Sequence, residues 1–309
     1  MKKIFAIGES LVDIIFNDGQ PVSAKAGGSM LNSAVSLGRT GIPVSFISEY
    51  GNDDPGNLIN TFLRDNGVDT SLVYRYDPGQ TAIALAFLDK KKNAHYSFYK
   101  NYPEERLKIA NPEISEGDII LFGSIYSIES KVRQVLNEIV KRASDNRATV
   151  LYDPNFRKSH IKELESLRPM IVENMRSSSI IRASNEDFRN IFNAKTADEA
   201  WKITKDLCSC LIYTANENGV FVRTDSFSGI FPVKKIKPVS TIGAGDTFNA
   251  GLMTSLYSDN IAPGDLRALG ETEWRKIIGL AVEYATDVCL GYDNYIATGF
   301  AEKIRNTYF

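Results

Sequence analysis

Short apolar runs alternate with helical patterns through most of the chain. Residues 4–8, 44–48, 119–122, 149–152, 179–181 and 211–214 read as buried strands, each bounded by polar or turn-forming positions. Between them the apolar spacing predicts helices over 29–40, 57–66, 130–144, 164–175 and 198–207. Strands separated by helices imply a mostly parallel sheet covered on both faces. A last helix is predicted over 272–288, with Trp274, Ile277, Ile278, Ala281, Val282 and Ala285 forming one core-facing stripe.

One region breaks this rhythm. Residues 11–16, 72–76, 81–88 and 94–99 have strand patterns without helices between them. The polar segment Asp89-Lys90-Lys91-Lys92-Asn93 separates two of them as a hairpin turn would. These pieces are expected to form a small separate sheet. Such a sheet can close over a site that must exclude water, or serve for self-association. No repeat, low-complexity segment or linker divides the chain. The expectation is one α/β domain over residues 1–309 with a small β lid from roughly 11–26 and 71–104.

Composition narrows the functional classes. The 309 residues are 43% hydrophobic and 24% charged, with a net charge of -2. That balance predicts a folded globular protein and gives no electrostatic footing for nucleic acid. No run of 18 apolar residues suggests a membrane span. The first apolar run is broken by Glu9 and Asp13, so it reads as a buried strand rather than a signal peptide, and a cytoplasmic location is expected. Cys208, Cys210 and Cys289 lack the spacing of a disulfide framework or zinc site. His95 and His160 have no partners that would make a metal site or a hydrolase triad.

The chemistry concentrates in Ser240-Thr241-Ile242-Gly243-Ala244-Gly245-Asp246-Thr247-Phe248-Asn249-Ala250-Gly251. A glycine-rich turn feeds a helix marked by Phe248, Leu252 and Leu256. The first N–H groups of such a helix lack internal partners and suit an anion. A carboxylate at its lip, Asp246, can take a proton from an attacking hydroxyl. An anion seat beside a base suggests phosphoryl transfer to an alcohol. The same pattern also fits an ordinary loop-to-helix junction with Asp246 as N-cap. Asp13 lies beyond the first strand, where parallel sheets bind ligands, and could accept hydrogen bonds from two neighbouring hydroxyls. Gly27 and Gly28 precede a helix and would let a ligand touch backbone, with Asn32 one turn further on.

Gly27-Gly28 with Asn32, Ala34, Leu37, Arg39 and Gly41, followed by Gly51-Asn52-Asp53-Asp54-Pro55-Gly56, resembles the N-terminal signature of the ribokinase-like (PfkB) carbohydrate kinases. Thr241 to Phe248 with Ala250-Gly251 resembles their C-terminal signature. The resemblance covers nearly the whole chain. It implies a three-layer, Rossmann-like α/β sandwich with a mostly parallel central sheet and a small β-sheet lid. It also implies phosphorylation of a sugar, nucleoside or related alcohol from ATP with Mg²⁺. By the resemblance Asp246 is the catalytic base, and the backbone of Gly243, Ala244 and Gly245 is the anion hole. Asp13, Gly27, Gly28 and Asn32 would hold the sugar. Phe98-Tyr99-Lys100 and Asp153-Pro154-Asn155-Phe156-Arg157 resemble segments of the fructokinase and 2-keto-3-deoxygluconate kinase branch. They imply that Tyr99 and Lys100 line the sugar site and that Arg157 neutralises the transferring phosphate.

Three segments depart from the pattern. Ser240 stands where the family has an aspartate linked to a monovalent cation, which leaves potassium activation open. The Asn-x-x-Glu metal segment is Asn185-Glu186-Asp187-Phe188; Glu186 or Asp187 could act on Mg²⁺ through water. The nucleotide segment is Thr214-Ala215-Asn216-Glu217-Asn218-Gly219, where Asn216 replaces a glycine but tolerates a left-handed backbone. Asn185, Thr214, Asn216, Gly219 and Gly245 are the expected nucleotide contacts.

The expectation is an ATP-dependent sugar kinase acting on fructose, with 2-keto-3-deoxygluconate or another sugar or nucleoside of the family as the alternative. A reading of another class is a catalytically impaired sugar or nucleotide sensor. No Gly-x-Gly-x-x-Gly follows the first strand and no Gly-x-x-x-x-Gly-Lys-[Ser/Thr] occurs, which argues against a dehydrogenase and a P-loop enzyme. The resemblance further implies a homodimer formed through the lid.

Overall fold

A computed structural model describes residues 2–89 and 94–309. The chain begins β1 (Ile4–Ile7), β2 (Leu11–Asn17), β3 (Gln20–Gly27), α1 (Ser29–Arg39), β4 (Val44–Gly51), α2 (Asp54–Asp65), β5 (Val68–Asp69), β6 (Val73–Tyr76), β7 (Gln80–Leu88) and β8 (Ala94–Asn101). It continues β9 (Ile119–Gly123), α3 (Ser130–Asp145), β10 (Thr149–Asp153), α4 (Leu164–Arg176), β11 (Ile180–Ser184), α5 (Asn185–Phe192), α6 (Ala197–Thr204) and β12 (Cys210–Thr214). Then come β13 (Val220–Thr224), β14 (Ser228–Phe231), α7 (Ala244–Ser258), α8 (Glu271–Cys289) and α9 (Thr298–Tyr308).

The large sheet runs β14-β13-β12-β11-β10-β9-β1-β4-β5, with β6 also beside β4. All its pairs are parallel except β12–β13 and β13–β14. Alternation along the strands explains their unbroken apolar character. Ile4 and Ala6 of β1 join one core cluster with residues of α1, α7 and α8. Phe5 and Ile7 join the other, with residues of α3 and α4. A strand buried on both faces has no polar side to show. Among the described residues no helix is long and apolar enough to cross a membrane.

A second sheet runs β3-β2-β7-β8, parallel between β2 and β7 and otherwise antiparallel. It corrects one expectation. Residues 72–76 are not part of it: Val73–Tyr76 pairs in parallel with Ser48–Gly51 and extends the large sheet. Local pattern identifies a strand, but its partner is a non-local choice. The expected hairpin turn at Lys90–Asn93 lies outside the described residues.

The helix predicted over 198–207 occupies Ala197–Thr204, because Thr196 caps it by accepting from the Glu199 N–H. The β13–β14 hairpin, α5 and α9 have no counterpart in the sequence reading. His95 is exposed and His160 half-buried. All three cysteines are free, Cys208 and Cys210 fully buried.

Candidate active site

The N-terminal turn of α7 faces α1 at the carboxyl end of the sheet. Gly243 sits at φ +81°, where an L side chain is strained, and a Cβ there would lie 2.4 Å from the Asn294 carbonyl oxygen. No side chain caps this helix. Ala244 N–H bonds back to Thr241 O at 3.3 Å and Thr247 N–H to Gly243 O at 2.9 Å. The N–H groups of Gly245 and Asp246 between them have no acceptor among the described residues. Two free donors at the positive end of a helix form an anion seat.

Asp246 is the third residue of α7, not its cap. Its carboxylate accepts from Ser29 Oγ at 2.6 Å and from Asn32 Nδ2 at 2.8 Å. Ser33 Oγ also donates to the Asp246 carbonyl at 2.7 Å, so successive positions of α1 fix this turn of α7. Burial pushes the Asp246 pKa above the usual carboxylate range, while the Asn32 and Ser29 hydrogen bonds pull it back. Asp153 adds to the rise and the Arg157 guanidinium opposes it. A carboxylate raised in this way is a stronger base than a solvated one.

Beneath the turn lies a residue the sequence reading did not single out. A Cβ on Gly245 would come within 2.9 Å of Arg182 Nη1. Arg182 is buried, reaches Asp153 Oδ2 at 3.0 Å and Thr214 Oγ1 at 3.1 Å, and stacks 5.2 Å from the Phe248 ring centroid. Asn249 Nδ2 donates to the same Asp153 oxygen at 2.7 Å. Glycine at 245 therefore lets a guanidinium stand directly under the anion seat. The signal was available: Arg182 is a charge inside the otherwise apolar run 180–183.

The acceptor side forms around Asp13. Leu11 pairs with Gly27 and Asp13 with Lys25. A Cβ on Gly27 would meet Asp13 Oδ2 at 2.1 Å, and one on Gly28 would meet the Glu9 carbonyl oxygen at 2.2 Å. Burial, with Glu9 adding repulsion, raises the Asp13 pKa to about 6. Glu9 Oε1 accepts from Lys100 Nζ at 2.5 Å and from Tyr102 OH at 2.6 Å. The structure thus brings together Asp13, Gly27, Gly28, Asn32, Gly243, Ala244, Gly245 and Asp246, and adds Glu9, Ser29 and Arg182.

The aromatic residue facing this cleft is not Tyr99. Asp13, Ala84 and Phe98 are successive cross-strand neighbours and share one face of the small sheet. Tyr99 is one step further along β8, opposite Ile83 on the other face. Period-two alternation puts Tyr96 and Phe98 on the Asp13 face instead, with their rings stacked at 5.8 Å. Burial raises the Tyr96 hydroxyl pKa, with Asp13 adding to the rise and Arg157 opposing it, so both charges reach this ring. Arg157 is exposed and has no carboxylate at ion-pair distance among the described residues.

The nucleotide segment divides. Thr214 ends β12 with its hydroxyl on Arg182. Asn216 adopts φ +49°, the left-handed conformation asparagine tolerates, and Gly219 closes the turn at φ +99°. Asn185 instead lines a cavity of about 310 Å³ with Arg189, Tyr213, Asn218 and Phe221, between α5, α6 and the sheet.

The carboxylates expected near a metal do not fit that task. Asp187 accepts from Phe156 N–H at 2.7 Å and Ser184 N–H at 2.7 Å, and from Ser184 Oγ at 2.5 Å. It caps its own helix and holds the loop after β10, which uses its lone pairs. Glu186 is exposed and pairs with Lys158 at 3.2 Å. Among the described residues no cluster of three or more His, Cys, Asp or Glu could hold a metal ion. The Ser-x-x-Asp spacing at 184–187 is itself a capping signature and could have shown this.

The sequence matches the family described as pfkB family carbohydrate kinase over residues 1–289. Fructokinase-1 of Oryza sativa subsp. japonica is 27% identical over 283 residues, covering 87% of each chain. Among solved structures, fructokinase from Vibrio cholerae O395 with fructose, ADP and calcium superposes with a TM-score of 0.83 at 20% identity, covering 98% of this chain and 99% of that one. Aminoimidazole riboside kinase from Salmonella enterica, complexed with aminoimidazole riboside and an ATP analogue, gives 0.81 at 20% identity, with 98% and 99% covered.

Proposed function

This chain belongs to the pfkB family of carbohydrate kinases, and from that premise we propose that it transfers the γ-phosphate of ATP to a hydroxyl of a ketose, with fructose as acceptor. One observation carries the reading. Asp246 is held by Ser29 and Asn32 beside two N–H groups that lack an acceptor among the described residues, with Arg182 under the same turn. Base and anion seat are thus one rigid unit. Asp246 takes the proton of the attacking hydroxyl. The N–H groups of Gly245 and Asp246, with Arg157, take up charge on the transferring phosphoryl group. Asp13 accepts from hydroxyls of the ketose, and Tyr96 and Phe98 cover its apolar face. The Thr214–Gly219 turn and Gly245 line the nucleotide's path. The fructokinase relatives support fructose as acceptor.

The small sheet serves as the lid in this reading, because it supplies Asp13 and Gly27 from one hairpin and the aromatic pair from another. Its outer face carries Phe16 stacked on Phe87 at 4.8 Å, with Phe87 41% exposed. A homodimer through that face is part of the proposal, and the protein would work in the cytoplasm.

The test is ADP release with Mg²⁺-ATP across fructose, ribose, tagatose, 2-keto-3-deoxygluconate and a nucleoside. Turnover on fructose, falling by about 10²- to 10⁴-fold in Asp246→Asn, is expected. No turnover on any acceptor, with sugar still binding by calorimetry, would replace the kinase with a sugar sensor.

A further inference from the structure

We propose that the Glu9–Lys100 pair is a charge filter, which fits the acceptor site to neutral polyhydroxy sugars and turns away sugar acids. The inference rests on the sugar-kinase reading and specifies its substrate class.

Two lysines stand on the lid face that carries Asp13. Lys25 is the cross-strand partner of Asp13. Lys100 lies two residues beyond Phe98 on the same face, its ammonium 5.7 Å from the Phe98 ring. Either cation could in principle hold a substrate carboxylate. Both are taken. Lys25 Nζ pairs with Asp293 at 2.9 Å, and Lys100 Nζ pairs with Glu9 at 2.5 Å. Among the described residues of the four lid strands, no other lysine or arginine remains.

Glu9 is not a mobile surface group that could move aside. Its side chain is 17% exposed. Oε1 is also held by Tyr102 OH, whose ring lies against the Arg106 guanidinium at 3.5 Å. Arg106 is in turn anchored to the buried Glu49, which Tyr126 OH and the Leu107 N–H also contact. This chain of contacts fixes one carboxylate oxygen and leaves Oε2 to accept a sugar hydroxyl. Burial raises the Asp13 pKa, and repulsion from Glu9 across the acceptor space adds to the rise. A third carboxylate, on the substrate, would enter a space already rich in negative charge, with the nearby lysine neutralised and Arg157 engaged by the transferring phosphoryl group in the proposed reaction. Hydroxyl groups meet the opposite situation: two acceptor carboxylates and no net repulsion.

Glu9 is a positioning residue for Lys100 and a specificity residue for the acceptor. The experiment measures kcat/KM and, by calorimetry, Kd for fructose and for 2-keto-3-deoxygluconate in the full chain. Wild type, Glu9→Gln and Lys100→Met are compared. Wild type is expected to favour fructose at least tenfold in both quantities. Glu9→Gln keeps an acceptor oxygen but frees the ammonium, so the ratio should move toward the acid at least tenfold, with the acid binding more tightly than to wild type. Lys100→Met should weaken the acid further. Preference of the wild type for the acid would overturn the filter, as would an unmoved ratio or a parallel loss of both ligands in Glu9→Gln. The two readings fail separately. Absence of turnover with the expected shift in Kd ratio sinks the kinase and keeps the filter; fructose turnover with an unmoved ratio does the reverse.

Discussion

Two carboxylates of the candidate site, buried Asp246 and half-buried Asp13, have pKa values raised for the same first reason, loss of water. For Asp246 the consequence is kinetic. Below its raised pKa the carboxyl is protonated and cannot accept the substrate proton. The acid limb of kcat/KM should therefore lie above the ordinary carboxylate range, and Asn32→Ala should move it further up, because a hydrogen bond favouring the charged form is lost. A pH profile of both proteins checks this. For Asp13 the consequence is thermodynamic. Its folded pKa of about 6 exceeds the ordinary aspartate value of 3.8. The folded state thus binds more protons between those values, stability falls as pH rises through them, and the penalty persists above pH 6. Asp13→Asn should gain on the order of 2 kcal/mol at pH 7 in urea unfolding while losing sugar affinity. Gly27 was legible in the sequence as a close-approach position. That it makes room for Asp13 itself, rather than only for a ligand, needed the β2–β3 register.

Single elements show where pattern reading stops. The start of α7 was readable because glycine, small residue, glycine and aspartate have local consequences. Gly243→Ala should cost about 1–2 kcal/mol from its left-handed backbone alone, with further loss from the Asn294 contact. Arg182 on β11 was overlooked because its neighbours are apolar and its partners, Asp153, Thr214 and Gly245, are distant in sequence. Arg182→Met strands Asp153 as a buried charge and should cost about 3–5 kcal/mol; adding Asp153→Asn should recover part of it. Denaturant unfolding of the single and double variants measures the coupling. α5 was missed as an element, and with it the true use of Asp187. The Ser184-x-x-Asp187 spacing carried the cap, but it is read as one only once a helix is expected behind it.

At the scale of the whole molecule, the small sheet meets the core at the candidate site. Its strands supply Asp13, Gly27, Tyr96 and Phe98, while α1 and α7 supply Ser29, Asn32 and the turn at Asp246. Sugar binding should therefore slow amide exchange across Gln80–Leu88, Ala94–Asn101 and Leu11–Gly27 more than across the large sheet. Equal protection everywhere would argue for a fixed sheet instead. If the outer lid face joins two copies, Phe87→Lys should convert a dimer mass to a monomer mass in sedimentation. The large sheet was legible because strands buried on both faces and spaced by helices leave few topologies. Membership of Val73–Tyr76 was not, because a short strand joins whichever edge is free.

What the sequence determined by itself is whatever depends on near neighbours: the alternation of strands and helices, the glycine turn before Asp246, and the turn that lets Asn216 go left-handed. The family resemblance also lay there, since its motifs are contiguous. Only the tertiary structure decided which charges meet. It seated Asp246 on Ser29 and Asn32, put Arg182 under Gly245, turned Tyr99 away in favour of Tyr96 and Phe98, and bound Lys100 to Glu9. Electrostatic partnership acts through space over a few ångströms, and distances of that size between residues far apart in the chain exist only once it has folded.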